Sequence, residues 1–425
     1  MRNGRVTRLA RLVFAALVLG ATILTSASIA GATTPPPAGK DLVDIPVGPA
    51  PYAVAVDPIT QMAYVAINAS PGGQVDVISE VTNAMVATIS VGNTPQGIAL
   101  DPNTHLVYVS NVNGSSVSVI DGSASPPALK ATIPVSANPY GVAVDPASGL
   151  VYVTHYRNGD PDSTHTYTTV SVISEASNAV TAVTVGNSPI AAAVDTVHHT
   201  VYVANQGDGT VSVIDGKTNA VISTIGSAPS SLDDLGIGTG SQPNSVAWNP
   251  NNGSMYVSLN YAGEVVVISE ATNTVTSHIR LAATGPSGSR PTGVAVDALT
   301  NLVYVSDCQC SVTPYPVGKG EVIDAGTNTL LASTLQLAGP FSCSGGGPTP
   351  SSLAVDSGLN VVYIASLCGA GGYVSAFQGY LGIAPPNKDS CKDGDYQYFI
   401  DPRTGLAFTN QGECVSYVVH NISHQ

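Results

Sequence analysis

His155 and Asp307 are the residues of this chain best suited to acid–base or metal chemistry, an imidazole that titrates near neutrality and a carboxylate. Both occupy the same place in a recurring unit, three residues after a marker aromatic. The full set at that place is Ile67, Asn111, His155, Asn205, Leu259, Asp307, Ser366 and Gln411. A second set opens the first strand of each unit: Tyr52, Gln96, Tyr140, Ile190, Asn244, Thr292, Ser351 and Tyr396. Tyrosines and amides of this kind suit a polar ligand, whereas His155 with Asp307, or with His165, could serve a metal or a proton transfer. Tyr52, Gln96, Tyr140, Asn244, Asn111, His155, Asn205, Asp307 and Gln411 are therefore the expected ligand-binding residues. No serine elbow, phosphate loop or haem-attachment motif is present, so no catalytic residue is assigned and the balance leans away from an enzyme.

The six cysteines add a second chemistry. An even count in an exported chain favours disulfides. Proximity pairs Cys343 with Cys368 and Cys391 with Cys414, leaving Cys308 with Cys310. Zinc at Cys308-x-Cys310 is the alternative. The acidic run Asn158-Gly159-Asp160-Pro161-Asp162 lacks a complete ligand pattern, so no cofactor is expected, with calcium left open. His198-His199 falls on a turn and reads as structural.

The elements that position these residues repeat along the chain. A turn residue recurs as Asp57, Asp101, Asp145, Asp195, Asn249, Asp297, Asp356 and Asp401. An aromatic follows each by seven residues: Tyr64, Tyr108, Tyr152, Tyr202, Tyr256, Tyr304, Tyr363 and Phe408. The intervals between successive turn residues are 44, 44, 50, 54, 48, 59 and 45. A period in the forties with strand-type sequence predicts an all-β propeller of four-stranded blades, eight by this count with seven as the alternative. Third strands recur as Val75–Ile78, Val117–Ile120, Val170–Ile173, Val211–Ile214 and Val265–Ile268, rich in β-branched residues. One face of the first strand is small (Ala55, Ala99, Ala143, Ala193, Ala247, Ala295, Ala354), as crowded inner strands require. The Asp-Pro-x-Thr segments are turn chemistry rather than catalytic carboxylates.

Residues 1–32 read as a secretory leader, with Arg2, Arg5, Arg8 and Arg11 before a short apolar run and a small-residue cleavage site at Ala30-Gly31-Ala32. Residues 33–40 read as a Pro-rich linker, and 41–425 as one propeller domain. Without the four leader arginines, the 14 basic residues become 10 against 28 acids, a formal charge of −18. That charge argues against nucleic-acid binding, which needs clustered Lys and Arg. The expectation is an exported monomer, secreted or at the cell surface, with no membrane span after leader removal.

Val107-Tyr108-Val109-Ser110-Asn111 and Val201-Tyr202-Val203-Ala204-Asn205, with Asp-Pro-x-Thr before and Val-Ser-Val-Ile-Asp after, resemble the YVTN β-propeller repeat family over about residues 43 to 420. The resemblance implies an exported or cell-surface propeller and carries over no catalytic motif. Unit 8 departs from it, with Gln397 and Phe399 where small residues are expected.

Residues 41–48 resemble a fourth strand, and the chain ends on Val415–Val419, a third-strand pattern. The N-terminal strand is thus expected to complete the last blade and remove an exposed edge. The 1–2 and 3–4 loops are short. The long segments, 155–168, 226–242 and 307–320, all fall on the opposite face with the cysteines, as loops that carry function do. The reading that follows is a scaffold that binds a protein, peptide or glycan across that face. The alternative is a metal-dependent lactonase- or lyase-like propeller enzyme working at the channel mouth, which rests on fold analogy.

Overall fold

The computed structural model describes residues 41–156, 166–226, 242–282, 289–308, 318–336, 349–368, 371–380 and parts of 382–421. The leader and linker, His165, the 158–162 run, Cys310 and Cys343 lie outside the described residues, as does most of each long loop.

Seven four-stranded antiparallel sheets form the propeller. In blade 1 the strands are Pro51–Asp57, Met62–Ile67, Gln74–Ser79 and Ala84–Ser90, in that order across the sheet. The next five blades repeat this order, with inner strands Pro95–Asp101, Pro139–Asp145, Pro189–Asp195, Pro243–Asn249 and Pro291–Asp297. The second and third strands are buried almost throughout, because neighbouring sheets cover both faces. Continuous β-branched runs are what such strands require. Outer strands such as Ala84–Ser90 and Ala128–Pro134 are mostly exposed. The core lies between blades. One apolar cluster joins Tyr202, Val211 and Val213 of blade 4 to Val246, Met255 and Val257 of blade 5. The inner strands approach most closely: a Cβ on Gly141 would stand 2.5 Å from the Ile190 carbonyl of the next blade.

The seventh blade holds Thr349–Asp356, Val361–Cys368 and Gly371–Gln378, and its fourth strand is the N-terminal Asp41–Val47. That strand pairs antiparallel with Ile45 opposite Val374 and Val47 opposite Gly372. Ile45 packs in one cluster with Val54 and Val65 of blade 1 and Tyr363 and Val374 of blade 7.

The eighth unit is not a blade, and the N-terminal strand therefore completes the seventh. Phe399–Asp401 pairs in parallel with Gly382–Ile383 and antiparallel with Leu406–Ala407, giving a small three-stranded sheet. The expected third strand is helical, in Gln411–Asn421. Cys414 and Val418 are spaced as one helix face and pack with Cys391, Phe399 and Phe408. A large Phe399 fits this separate core and not the crowded centre of a ring.

Each of the seven marker tyrosines of the blades is at most 1% exposed and reaches the 3–4 turn of the next blade or, for Tyr304, the segment just after the third strand of blade 7. Tyr152, Tyr202 and Tyr256 hydroxyls donate to the Oδ1 atoms of Asn219, Asn273 and Asn328 at 3.3, 2.9 and 2.7 Å. These asparagines sit at φ between 51 and 54°, a left-handed turn conformation asparagine tolerates. The Tyr304 hydroxyl accepts the Tyr380 N–H at 3.0 Å. Tyr64 lies over Gly122, where a Cβ would come within 2.6 Å of the phenol oxygen.

At the remaining two seams the tyrosine meets an acid. Tyr108 meets Glu175, which faces Asp101, and Tyr363 meets Glu80, which faces Asp356. Burial first, then the facing carboxylate, pushes Glu80 up to about 8 and Glu175 up to about 7. On either side of the Glu175 seam the turn aspartate meets a histidine: His105 Nδ1 to Asp57 at 2.8 Å and His199 Nδ1 to Asp145 at 2.7 Å.

Two outcomes are expected. Deleting residues 41–48 lowers the melting temperature by on the order of 10 °C, since it strips a whole ladder and its apolar face; an unchanged melting temperature contradicts this. Second, the folded chain holds protons on Glu80 and Glu175 that the unfolded chain releases. Their contribution is complete below the unfolded carboxyl range and fades as pH rises through about 7 to 8. Melting temperature measured from pH 5 to pH 9 therefore falls with rising pH, and the Glu80→Gln, Glu175→Gln double variant flattens that fall. An identical slope in the variant contradicts the assignment.

Candidate functional site

A central cavity of about 490 Å³ opens where the inner strands begin. Its wall takes one residue from the start of each inner strand: Tyr52, Gln96, Tyr140, Ile190, Asn244, Thr292 and Ser351. A local backbone device aims them there. In all seven blades the pairing of first and second strands shifts register just after the initial proline, as between Pro51 and Ala53 or Pro243 and Ser245. A bulge leaves one residue out of the ladder and re-aims its side chain.

The amide following the bulge is then satisfied by a hydroxyl on the second strand. Gly97, Gly141 and Ser245 N–H groups donate to Ser110 Oγ, Thr154 Oγ1 and Ser258 Oγ at 2.9, 2.8 and 3.0 Å. Thr154 Oγ1 in turn donates to the Ile190 carbonyl at 3.1 Å, and Ser110 Oγ to that of Tyr140. The ring residues are thus held by their neighbours' backbones.

The ring is chemically lopsided. Blades 1 and 3 supply its two tyrosines, Tyr52 and Tyr140. Tyr52 and Tyr140 share a hydroxyl–hydroxyl hydrogen bond, with ring centroids 6.0 Å apart and edge to face. Tyr156 packs edge to face on Tyr140 at 4.9 Å. From there the network passes to amides. Tyr156 Oη donates to Gln206 Oε1 at 2.5 Å, Gln206 Nε2 to Asn244 Oδ1 at 3.2 Å, and Asn244 Nδ2 to the Thr292 carbonyl at 2.6 Å. Ser351 Oγ donates to the Pro51 carbonyl at 3.1 Å. Burial pushes the Tyr52 and Tyr140 phenols up, so both stay neutral. Among the described residues lining the cavity, none carries a charge. Tyr156 and Gln206 belong to this network yet were not expected from the sequence. Each follows the last residue of a second strand, where the chain leaves the repeat pattern.

The second expected set does not reach this cavity. Asn111 and Asn205 are fully buried and serve the third strands. Asn111 Nδ2 donates to Ser116 and Ser118 hydroxyls at 3.1 and 3.0 Å, and Asn205 Nδ2 to Thr210 and Ser212 hydroxyls at 3.0 and 2.9 Å. His155 makes the equivalent bonds, Nε2 to Ser171 Oγ at 2.8 Å and Nδ1 to the Ala137 carbonyl at 2.9 Å. Burial lowers its pKa, so it is a neutral structural imidazole. Asp307 Oδ1 accepts the Arg290 N–H at 2.6 Å. Its other oxygen lies 3.9 Å from Lys319, which also pairs with Glu321 and donates to the Ala282 carbonyl at 2.6 Å. Asp307 and His155 stand in different blades with separate partners, so they form no acid–base pair. Gln411 is exposed at the start of the C-terminal helix, and Tyr396 packs beside Cys391, both away from the ring.

Cys391 and Cys414 form a disulfide with Cα atoms 5.8 Å apart. Cys308 is disulfide-bonded, 3% exposed and beside the cavity, which removes it as a zinc ligand. Among the described residues no cysteine is free. The pairing of Cys310, Cys343 and Cys368 lies outside what is described.

No family model matches this chain. No curated protein matches it either. Among solved structures, Kuenenia stuttgartiensis hydrazine synthase resembles it with a TM-score of 0.61 at 15% identity, over 78% of this chain and 96% of that one. At that identity the likeness is one of propeller fold alone.

The separation of the two residue sets has a measurable consequence. Asn205→Ala strands buried Thr210 and Ser212 hydroxyls and costs about 1–3 kcal/mol of stability, read as a lowered melting temperature. Tyr52→Phe, which keeps the ring against Tyr140 and gives up only a hydroxyl at the cavity, leaves melting within about 0.5–1 kcal/mol of the parent. The reverse order of sensitivity would contradict the placement.

Proposed function

We propose that this protein is an exported, non-catalytic binding propeller that takes an uncharged, hydroxyl-rich ligand, a glycan, at the mouth of its central channel. The observation that carries the reading is the wall itself: Tyr52 and Tyr140 on one side, Gln96 and Asn244 as its amides, and no charged residue among those described, with Tyr156 and Gln206 bonded to one another and Gln206 to Asn244. Aromatic rings pack on the C–H faces of a sugar, and amides offer a donor and an acceptor to its hydroxyls. A cavity of about 490 Å³ suits a ligand of one to a few sugar units.

Catalysis through a metal at the mouth finds less support. The imidazole expected to drive it, His155, is neutral and committed to Ser171. The propeller of hydrazine synthase supplies a fold precedent for an enzyme, with no residue to carry over. Export is supported by the Arg-rich apolar leader pattern and the Cys391–Cys414 disulfide. Among the described residues no helix is long and apolar enough to cross a membrane. The YVTN-type repeat resemblance fits the same destination.

Glycan-array screening followed by calorimetry tests the proposal, with a neutral peptide library as the competing arm. The expected result is binding to neutral oligosaccharides with little salt dependence. Tyr140→Ala and Asn244→Ala should each weaken it about tenfold or more. Binding only to charged glycans, only to peptides, or to neither overturns the proposal.

A further inference from the structure

The seams between blades offer an internal comparison, because the same positions recur with different side chains. At the seam between blades 4 and 5, Asp195 of the turn faces Glu270, as Asp101 faces Glu175 and Asp356 faces Glu80 elsewhere. This seam alone of the three adds an imidazole. The third residue after the turn aspartate is a hydroxyl in several blades: Thr60, Thr104, Ser148 and Thr300. Ser148 and Thr300 hydroxyls each donate to their own aspartate at 2.7 Å. In blade 4 the position is His198, whose Nδ1 lies 2.8 Å from Asp195 Oδ2 and also against Glu270 Oε1. Ligand atoms of Asp195, His198 and Glu270 all lie within 4.8 Å of one another.

We propose that Asp195, His198 and Glu270 form a site for a divalent transition cation of the zinc class, which staples blade 4 to blade 5. One imidazole nitrogen has at most one proton to give, yet two carboxylates converge on it. A dication satisfies both carboxylates and the nitrogen lone pair together. One nitrogen and two carboxylate oxygens are a zinc-type donor set, and the imidazole disfavours calcium and magnesium. Asp195 is fully buried and fixed by the Val197 and His198 amides at 2.8 and 3.2 Å. His198 is 64% exposed, which leaves an open position for water and a route for the ion. The site lies at the far end of the inner strand from the ring residue Ile190, five residue steps of about 3.4 Å and so on the order of 17 Å away. Its role is therefore structural and independent of the proposed ligand.

The test uses the protein purified from an exporting host, stripped with chelator and titrated with zinc. The single tryptophan, Trp248, neighbours Glu270 and reports local change. One zinc per chain should bind with micromolar affinity, shift Trp248 fluorescence and raise the melting temperature by several degrees. His198→Ala, an exposed substitution, and Glu270→Gln should each weaken binding about tenfold or more, whereas Glu175→Gln at the comparison seam should leave it unchanged. No zinc binding by the parent, or undiminished binding in both His198→Ala and Glu270→Gln, overturns the proposal.

Discussion

The fold depends on seven tyrosines that each leave their own blade to finish in the next. A phenol buried in a seam needs a partner for its hydroxyl, and the neighbouring blade supplies one at most seams, with Asn252 of its own blade adding a donor to Tyr256. The turns have answered in different ways: an asparagine held in a left-handed conformation, a backbone N–H, or a glutamate. Where the first turn residue is glycine, as at Gly122 or Gly216, the missing Cβ makes room for the phenol. The turn sequences Ser-Glu and Asp-Gly, which look interchangeable in the chain, are thus two solutions to one packing problem.

Much of this architecture was legible because the repeat is strict. A turn residue and an aromatic at a fixed offset locate every strand pair, and small inner-strand residues announce a crowded centre. The same offset misled at Asp401 and Phe408, since a spacing of markers does not report whether the strand between them fits the ring. Gln397 and Phe399 carried the contrary signal. Val415–Val419 alternates like a strand, but Cys414 and Val418 define a helical face that only the Cys391 partner makes decisive.

The candidate site was legible by halves. Tyr52, Gln96, Tyr140 and Asn244 stood out because they open inner strands, and they do line the cavity. The bulge that aims them was hidden, since a proline followed by a small residue reads as ordinary strand. Asn111, Asn205, His155 and Asp307 failed for a complementary reason: a strand-end polar residue can be claimed by the adjacent strand. The third-strand hydroxyls Ser118, Ser171 and Ser212 were the available sign that it is.

The two ends of each inner strand therefore do different work. One end gathers ionisable groups into the seams and fastens blade to blade; the other presents uncharged groups to a shared cavity. Hydroxyl-radical footprinting with a mixture of neutral oligosaccharides separates these ends in one measurement. The account predicts protection of Tyr52, Tyr140 and Tyr156 while oxidation of His198, on the opposite rim, is unchanged. Protection at His198 with the three tyrosines unaffected, or no protection at any of them, would contradict it.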